Sequence, residues 1–228
     1  MTLGRPRLHL RSTTSTNERA RELAAAGAPS GTVVTAGVQT AGRGRQGRTW
    51  SAPPERALLL SLILRELDPL ISLRAGLAVA DLAGAPARVK WPNDVLVDGR
   101  KVAGILVEAR PQEGWAVLGI GVNAALDPAE LPPELHETAG TLGRTDLEAA
   151  LAELLGHLER RLAEPPAATL AAIGERDALL GRTIAWAGGE GVGAGINERG
   201  CLRVRRADGT ETVLDAGEVH LRASTAAG

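Results

Sequence analysis

The sequence predicts an α+β fold, in which a mixed sheet flanked by helices is followed by a small β-barrel. Three observations support this prediction. Residues 58–64 form a continuous apolar run, which is typical of a buried strand. Leucines between residues 147 and 162 recur at helical spacing over about four turns. After Gly181, five short β-like runs follow one another, separated by glycine-containing turns, as in small barrels.

Length and composition favour a packed protein with one large domain and one small one. The chain has 228 residues, of which 44% are hydrophobic, so a sizeable core can form. Phe and Tyr are absent and only four tryptophans are present, so the core must be built from Leu, Val, Ile and Ala. The formal net charge is -1, and therefore no overall field would attract nucleic acid or an anionic membrane.

Cysteine content and hydropathy restrict the compartment and the type of site. Cys201 is the only cysteine, which excludes an intramolecular disulfide and a zinc site built from cysteines. No stretch reaches the roughly 18 apolar residues that a membrane-spanning helix requires, and the N-terminal residues lack the apolar run of a signal peptide. We therefore expect a soluble cytoplasmic protein.

A cluster of small polar residues precedes the first predicted helix. Ser15 and Glu18 have the spacing of a capping box, so the helix is predicted to begin there. Ser15, Thr16 and Asn17 would then lie at a helix N-terminus. In that position they can serve only to cap the helix, or they can exchange hydrogen bonds with a polar group of a ligand.

The next elements alternate between strand and helix. Residues 32–39 are rich in β-branched side chains and predict a strand that runs into a basic loop. Residues 72–82 are apolar enough for a helix of the core. Asp98-Gly99 is a strong signal for a two-residue hairpin turn, here between predicted strands at 95–97 and 102–107.

The end of the chain is predicted to form a separate small domain. A strand over residues 115–120 and helices over residues 147–162 and 168–180 complete the first domain. The change to short strands with close turns places the boundary near Leu180. The two predicted domains are residues 1–180 and residues 181–228.

Residues 39–50, QTAGRGRQGRTW, are rich in glycine and arginine and contain no Asp or Glu. Glycines allow backbone N–H groups to turn towards an anion, and each arginine adds a fork of donors suited to phosphate or carboxylate. Taken alone, such a run is more often a solvated basic loop. We expect a loop that is mobile when empty and ordered when an anion neutralises it. The residues concerned are Gly42, Arg43, Gly44, Arg45, Gly47 and Arg48.

A second segment, residues 90–108 (KWPNDVLVDGRKVAGILVE), adds two lysines and several polar side chains. Gly104, inside a predicted strand, indicates close approach of a ligand or of another backbone segment. Taken singly, Lys90 and Lys101 are better explained as surface lysines, and Asp94 could simply brace the adjacent proline turn.

Four motifs occur in a fixed order along the chain: RSTTSTNE, QTAGRGRQGRTW, the segment at 90–108, and GIGVN. In this combination the chain resembles the biotin protein ligase family. The resemblance covers nearly the whole chain. It implies a catalytic domain like that of class II synthetases and an SH3-like C-terminal domain. Since the first motif begins near residue 12, the helix-turn-helix of some members has no counterpart here, which implies a ligase without repressor function.

The resemblance also implies a reaction and its partners. Biotin would be activated with MgATP to biotinyl-5′-adenylate, with release of pyrophosphate. The biotinyl group would then pass to one lysine of a biotin carboxyl carrier protein, which we expect to be a subunit of an acyl-CoA carboxylase. Biotin and ATP would thus be substrates and Mg²⁺ a cofactor, with no DNA or membrane partner. We expect either a monomer or a homodimer.

Roles for individual residues follow from the motifs that match the family. The implied biotin-binding residues are Ser15, Thr16, Asn17, Gln39, Arg43, Gly44, Arg45, Lys101 and Gly104. The implied nucleotide-binding residues are Arg43, Arg45, Arg48, Trp50 (as a lid over adenine), Asn93, Lys101 and Asn123. The implied catalytic residues are Lys101, Arg45, Lys90 and Asp94. Asp94 is also the candidate for binding magnesium or for holding a basic partner.

Simpler explanations and other functions remain open at this point. Trp50 could belong to the core, as most tryptophans do, and Asn123, which follows a glycine-rich run, could be only a turn residue. A lipoate or octanoate protein ligase would share the strategy but would not be expected to combine GRGRQGR with KWPND. A module that binds RNA or DNA is disfavoured by the neutral net charge and by the lack of stacking aromatics near the loop other than Trp50.

Overall fold

The computed structural model describes residues 2–222, and its first 123 residues contain seven strands. These are β1 (Arg7–Thr13), β2 (Val33–Gln39), β3 (Ala57–Leu64), β4 (Arg88–Lys90), β5 (Asp94–Val97), β6 (Arg100–Arg110) and β7 (Trp115–Asn123). They form one sheet in the order β1-β2-β3-β7-β6-β5-β4. The β1–β2 pair is parallel and the other neighbouring pairs are antiparallel, so the predicted mixed sheet is confirmed.

Helices cover both faces of this sheet. They are α1 (Thr16–Ala25), α2 (Ile71–Ala83), α3 (Leu147–Ala163) and α4 (Pro166–Arg176). Helix α1 packs on β2, β3 and β7, where a small apolar cluster includes Ala20, Ile63 and Trp115. Helix α2 packs on the opposite face and is covered by α3, and the main core lies between them and the sheet. No helix within residues 2–222 is both long enough and apolar enough to cross a membrane.

The central strand β3 shows how an aliphatic core replaces an aromatic one. Every residue of β3 is buried, as the continuous apolar run predicted. Leu60 and Leu62 face the main core, whereas Ile63 faces the cluster under α1. Because side chains alternate between the two faces of a strand, an uninterrupted aliphatic run is needed where both faces are covered.

Five shorter strands form a second, antiparallel sheet. They are β8 (Thr183–Trp186), β9 (Gly189–Ile196), β10 (Leu202–Arg205), β11 (Glu211–Leu214) and β12 (His220–Leu221). Their order is β11-β10-β9-β8-β12, so all five predicted strands are present. The indole Nε1 of Trp91 donates to the carbonyl oxygen of Gly200 at 2.9 Å, which ties this sheet to the turn before β5.

The predicted capping box at the start of α1 is wrong. Ser15 does occupy the N-cap position, with an extended backbone, but its side chain makes no capping hydrogen bond. The carboxylate of Glu18 instead accepts from the hydroxyl of Thr14 at 2.5 Å. The hydroxyl of Ser15 is therefore left for other partners, although the residue is only 1% exposed.

Two further differences from the sequence-based prediction have local causes. Helix α4 ends at Arg176, not near residue 180, because Asp177 has an extended backbone and its carboxylate accepts from the backbone N–H of Leu179 at 2.8 Å. Strands β1 and β4 were not predicted. Both lie at the edges of the sheet, where charged residues such as Arg7 and Arg88 alternate with apolar ones and the strand signal is weak.

Asp81 joins three helices on the side of α2 that faces α3 and α4. Its carboxylate accepts two hydrogen bonds from Arg161, at 2.7 and 2.9 Å, and one from Arg176 at 2.8 Å. Burial opposes ionisation of this carboxyl, but the hydrogen bond from Arg161 and the charges of Arg161, Arg176 and His157 outweigh it. The pKa of Asp81 is therefore held below its ordinary value.

Replacing Asp81 by asparagine is expected to lower the free energy of unfolding by about 2 kcal/mol near pH 7, because two half-buried arginines lose their shared anion. A depressed carboxyl pKa stabilises the fold above the ordinary pKa, and that contribution is lost as pH falls through the native value. The wild type should therefore lose this advantage below about pH 4. Urea unfolding of the wild type and of Asp81→Asn, at pH 7 and below about pH 4, measures this difference in stability. Asp98→Asn, at an exposed position, serves as the control. Equal stability of the wild type and Asp81→Asn at pH 7 would contradict the prediction.

Candidate active site

One cavity of about 160 Å³ opens between the start of α1, the basic loop, the β5–β6 hairpin and the segment before β12. It brings together segments that are far apart in the sequence. Every predicted site residue except Asn123 lines it. These are Ser15, Thr16, Asn17, Gln39, Arg43, Gly44, Arg45, Arg48, Trp50, Lys90, Asn93, Asp94, Lys101 and Gly104.

The polar residues at the start of α1 are held by hydrogen bonds within the protein. The backbone N–H and the hydroxyl of Thr16 both donate to the amide oxygen of Gln39, at 2.7 and 3.0 Å. The amide nitrogen of Asn17 donates to Glu108 at 2.8 Å, and its oxygen accepts from Ser61 at 2.6 Å. The polar groups that line this part of the cavity are thus fixed in position.

Two buried polar atoms of the cavity lining have neither a hydrogen-bond partner nor an ion-pair partner within residues 2–222. They are the hydroxyl oxygen of Ser15 and the indole nitrogen of Trp50, and both atoms are buried. An unpaired buried polar group costs about 1–3 kcal/mol. The cavity therefore offers at least two hydrogen-bonding groups to a ligand.

Glycines on the neighbouring strands β6 and β7 leave room on the sheet face. A Cβ at Gly121 would lie 2.4 Å from the ring of Trp50, and a Cβ at Gly104 would lie 2.9 Å from the same ring. A Cβ at Gly119 would lie 2.1 Å from the amide oxygen of Asn17. The glycines therefore let Trp50 and Asn17 approach the sheet. The structure places Trp50 against the sheet as one wall of the cavity.

The β5–β6 hairpin places the positive charge of Lys101 in the cavity. The ammonium nitrogen of Lys101 lies 2.6 Å from Asp94 and 5.7 Å from the centre of the Trp50 ring. Asp94 thus holds a basic partner, which is one of its two predicted roles. Lys90 also lines the cavity, and Lys90 and Lys101 are the only lysines in the whole sequence. Both lysines therefore face the same cavity.

The basic loop is folded back on itself, and each of its arginines faces a protein acceptor. The backbone N–H of Gly44 donates to the carbonyl of Arg48 at 2.7 Å. Gln46 and Gly47 both have positive φ, at 54° and 75°, which closes the turn. The three side-chain pairs are Arg43 with Glu108 (3.2 Å), Arg45 with Asn93 (3.3 Å) and Arg48 with Glu218 (2.5 Å). The predicted mobility of the loop stays a prediction.

Comparison with known proteins agrees with this geometry. Residues 9–124 match the model of the biotin/lipoate A/B protein ligase family. A biotin–[acetyl-CoA-carboxylase] ligase of Mycobacterium tuberculosis is 38% identical over 92% of this chain and 87% of its own length. The chain belongs to the biotin/lipoate A/B protein ligase family.

Two further members of this ligase family are informative. The bifunctional ligase/repressor BirA of Bacillus subtilis is 39% identical over 142 residues, which are 57% of this chain and 44% of that protein. The chain thus matches less than half the length of that relative. The solved structure of a biotin protein ligase from Aquifex aeolicus, in complex with biotin and ATP, superposes with a TM-score of 0.80 at 28% identity, covering 96% of this chain and 99% of the other.

Within this member of the ligase family, Asn123 lies outside the cavity lining. Its amide nitrogen donates to the carbonyl oxygens of Lys101 and Gly140, at 3.3 and 3.0 Å, and the residue is 5% exposed. Asn123 therefore fixes the backbone of Lys101. Its predicted contact with the nucleotide stays a prediction.

Sequence reasoning missed five residues that shape the site. Ser61, Glu108 and Glu218 hold side chains of the lining, and Gly119 and Gly121 form part of its floor. Only the two glycines carried a positional signal, since they alternate along one strand and would point to the same face, although Ser61 stands out as the one polar residue of the apolar run at 58–64. The other three act on residues at least 44 positions away, so their spacing gave no indication.

The lining does not resemble a site for a resident metal ion. Within the described part of the chain, no group of three His, Cys, Asp or Glu side chains is placed to bind a metal. The lining has two carboxylates, Asp94 and Glu218, which are already engaged by Lys101 and Arg48. Such a site suits a magnesium ion that arrives with nucleotide phosphates, since one or two carboxylates then suffice.

Proposed function

We propose that the chain is a biotin protein ligase, which converts biotin and MgATP to biotinyl-5′-adenylate and transfers biotin to a lysine of a biotin carboxyl carrier protein. The observation that carries the proposal is the composition of the cavity, which combines a neutral polar recess at α1 with five cationic side chains. The names of the Mycobacterium tuberculosis and Aquifex aeolicus relatives support the same reaction.

The recess at α1 suits the neutral ring system of biotin. Ser15 offers an unpaired hydroxyl, and Asn17 and Thr16 present fixed polar groups beside it. The ring of Trp50, which lies on glycines of the sheet, supplies a flat surface for the apolar part of the ligand ring. Small-molecule sites of this kind combine apolar walls with a few placed polar groups.

The cations suit the first chemical step. An oxygen of the biotin carboxylate forms a bond to the α-phosphorus of ATP, and the bond from that phosphorus to pyrophosphate breaks. Two anions must approach each other, so Lys101, Arg45 and Lys90 are proposed to offset their repulsion and the charge that develops. Asp94 orients Lys101, and magnesium is proposed to enter as part of the MgATP substrate, near Asp94.

The second step needs an amine and the exclusion of water. The ε-amine of the carrier lysine attacks the acyl carbon, the bond to AMP breaks, and the amine loses its proton. Since a mixed anhydride hydrolyses where water reaches it, we propose that Trp50 and the basic loop shield the adenylate until the carrier arrives.

The finer features of the organisation are also proposals. We propose that residues 1–180 form the catalytic domain and residues 181–228 an SH3-like domain, which the five-stranded antiparallel sheet supports. The carrier is proposed to belong to an acyl-CoA carboxylase, the reaction to occur in the cytoplasm, and the protein to act as a monomer or homodimer. A lipoate or octanoate ligase is the alternative. The names of the relatives do not favour it, and titration with biotin and with lipoate distinguishes the two.

The proposed reaction is tested by incubating the protein with a carrier domain, biotin and MgATP, followed by intact-mass measurement of the carrier. We expect the carrier mass to increase by one biotinyl group only when all components are present. A carrier whose target lysine is replaced by arginine should stay unmodified. No mass change of the unaltered carrier, with the ligase shown to be folded, would refute the proposal.

Replacing Gly119 by alanine is expected to weaken biotin binding by at least about tenfold. The new methyl group would overlap the Asn17 amide, which is held on both sides and cannot move without losing a buried hydrogen bond. Calorimetric titration with biotin measures the effect. Gly174→Ala, at an exposed position of α4 where a Cβ would meet nothing within 4 Å, serves as a control for the loss of a glycine. Affinity equal to that of the wild type would show that Asn17 is not part of the biotin site.

A further inference from the structure

Glu108 lies where three segments of the protein meet. It is part of β6, its carboxylate accepts from the amide nitrogen of Asn17 at 2.8 Å, and it lies 3.2 Å from the guanidinium of Arg43. Arg21 of α1 approaches the same carboxylate at 3.4 Å. Within residues 2–222, no other carboxylate contacts both the basic loop and α1.

The two oxygens of Glu108 have different partners. Oε2 accepts from the neutral amide of Asn17, which needs only a hydrogen-bond acceptor. Oε1 faces the two guanidinium groups of Arg43 and Arg21, which respond to its negative charge. A change that removes the charge but keeps an acceptor would therefore affect Arg43 and leave Asn17 in place.

The Asn17 amide can adopt one orientation only. Ser61 donates to its oxygen at 2.6 Å, and Glu108 accepts from its nitrogen at 2.8 Å. Rotating the amide by half a turn would place its oxygen against the carboxylate, which has no proton to donate, although the Ser61 hydroxyl could then accept from the amide and donate to Thr16. Glu108 therefore determines which polar group of Asn17 the cavity presents.

Arg43 is held less firmly than Asn17. Its side chain is 47% exposed, whereas Asn17 is 4% exposed, and both residues line the cavity. An exposed ion pair contributes little, about 0–1 kcal/mol, so an anion in the cavity can compete for the arginine. Arg43 is thus able to turn from Glu108 to a carboxylate or phosphate.

We propose that Glu108 is a positioning residue that orients Asn17 and competes with the anionic substrate for Arg43. This inference rests on the proposed function and adds a role for a residue outside the cavity lining. When the adenylate is bound, Arg43 pairs with the adenylate and not with Glu108. When the product leaves, the ion pair between Arg43 and Glu108 forms again. Through these two contacts, Glu108 couples the position of Arg43 in the basic loop to the orientation of Asn17 in the recess at α1.

The variants Glu108→Gln and Glu108→Ala separate the two roles. Glu108→Gln keeps an acceptor for Asn17, so its affinity for biotin should stay within about twofold of the wild type, while adenylate release slows about two- to fivefold because the competitor is gone. Glu108→Ala also loses the acceptor, and its affinity for biotin should fall about tenfold. Glu113→Gln, an exposed carboxylate nearby, should leave both quantities unchanged.

A second measurement does not depend on biotin. In the protein without ligand, trypsin cleavage after Arg43, Arg45 and Arg48 reports how firmly the loop is held. Loss of the Glu108 charge should speed cleavage in this loop about two- to fivefold in Glu108→Gln, and Glu113→Gln should match the wild type. Peptide mass spectrometry assigns the cleavage to the loop.

The outcomes distinguish failure of this inference from failure of the proposed function. If Glu108→Gln matches the wild type in loop cleavage and adenylate release, or matches Glu108→Ala in affinity for biotin, the role of Glu108 is refuted. If the wild type neither binds biotin nor forms adenylate while loop cleavage responds as expected, the proposed function fails and the contact between Glu108 and the loop stands.

Discussion

Replacing Lys101 by alanine is expected to slow adenylate formation by about 10²- to 10³-fold. Its ammonium group is placed in the cavity by the β5–β6 hairpin, held by Asp94 at 2.6 Å, and anchored through its backbone carbonyl to Asn123. A donor fixed before the reaction needs no reorganisation when negative charge develops, and alanine supplies nothing in its place. Biotin affinity should change far less, because the recess at α1 is untouched.

Biotin-dependent exchange of pyrophosphate into ATP measures this step directly. The adjacent exposed cation offers a matched control, and Arg100→Ala should retain the wild-type exchange rate within about twofold, since surface substitutions usually have small effects. Because the chain contains only two lysines, acetylation of amines provides a second approach. Biotin with MgATP should protect Lys101 from acetylation. Normal exchange by Lys101→Ala would remove this residue from the mechanism.

Replacing Arg45 by alanine is expected to speed release of the adenylate by about 10- to 100-fold, which corresponds to the loss of one or two charge-assisted hydrogen bonds. The guanidinium of Arg45 lines the cavity and is placed by Asn93, whose own amide nitrogen is fixed to the carbonyl of Ile105 at 3.0 Å. The arginine is thus positioned in advance for an anion. Free adenylate should appear in solution and hydrolyse.

Rapid mixing of preformed enzyme-bound adenylate with excess unlabelled ligand gives the release rate. The loop itself supplies a control, because Gln46 is exposed and has the positive φ that asparagine tolerates. Gln46→Asn should release adenylate at the wild-type rate. If Arg45→Ala also retains the adenylate as the wild type does, the basic loop does not hold the intermediate through this residue.

Elements with strong local patterns were predicted correctly. The apolar run at 58–64 became β3, which is buried throughout. Asp98 and Gly99 both adopt positive φ, at 50° and 76°, as a tight hairpin turn between twisted strands requires. In each case the information lies in a few neighbouring residues and needs no knowledge of distant contacts.

The capping patterns show the limit of such reasoning. Ser15 and Glu18 have the spacing of a capping box, yet Ser15 keeps its hydroxyl free and Glu18 binds Thr14. Because a serine at an N-cap can serve the helix or a neighbouring site at similar cost, spacing alone does not decide between them. The surrounding cavity does.

The sequence by itself determined that the chain forms a mixed α+β fold followed by five short strands, and, with the exception of Asn123, which motif residues line one cavity. Local periodicity and turn preferences depend only on neighbouring residues, so they can be read from the sequence. The combination of four motifs in a fixed order identifies the family and its site residues. Only the tertiary structure decided what holds those residues. Glu108, Ser61 and Glu218 reach their partners across 44 to 170 positions, and a hydrogen bond or ion pair depends on separation in space, which the order of residues does not record.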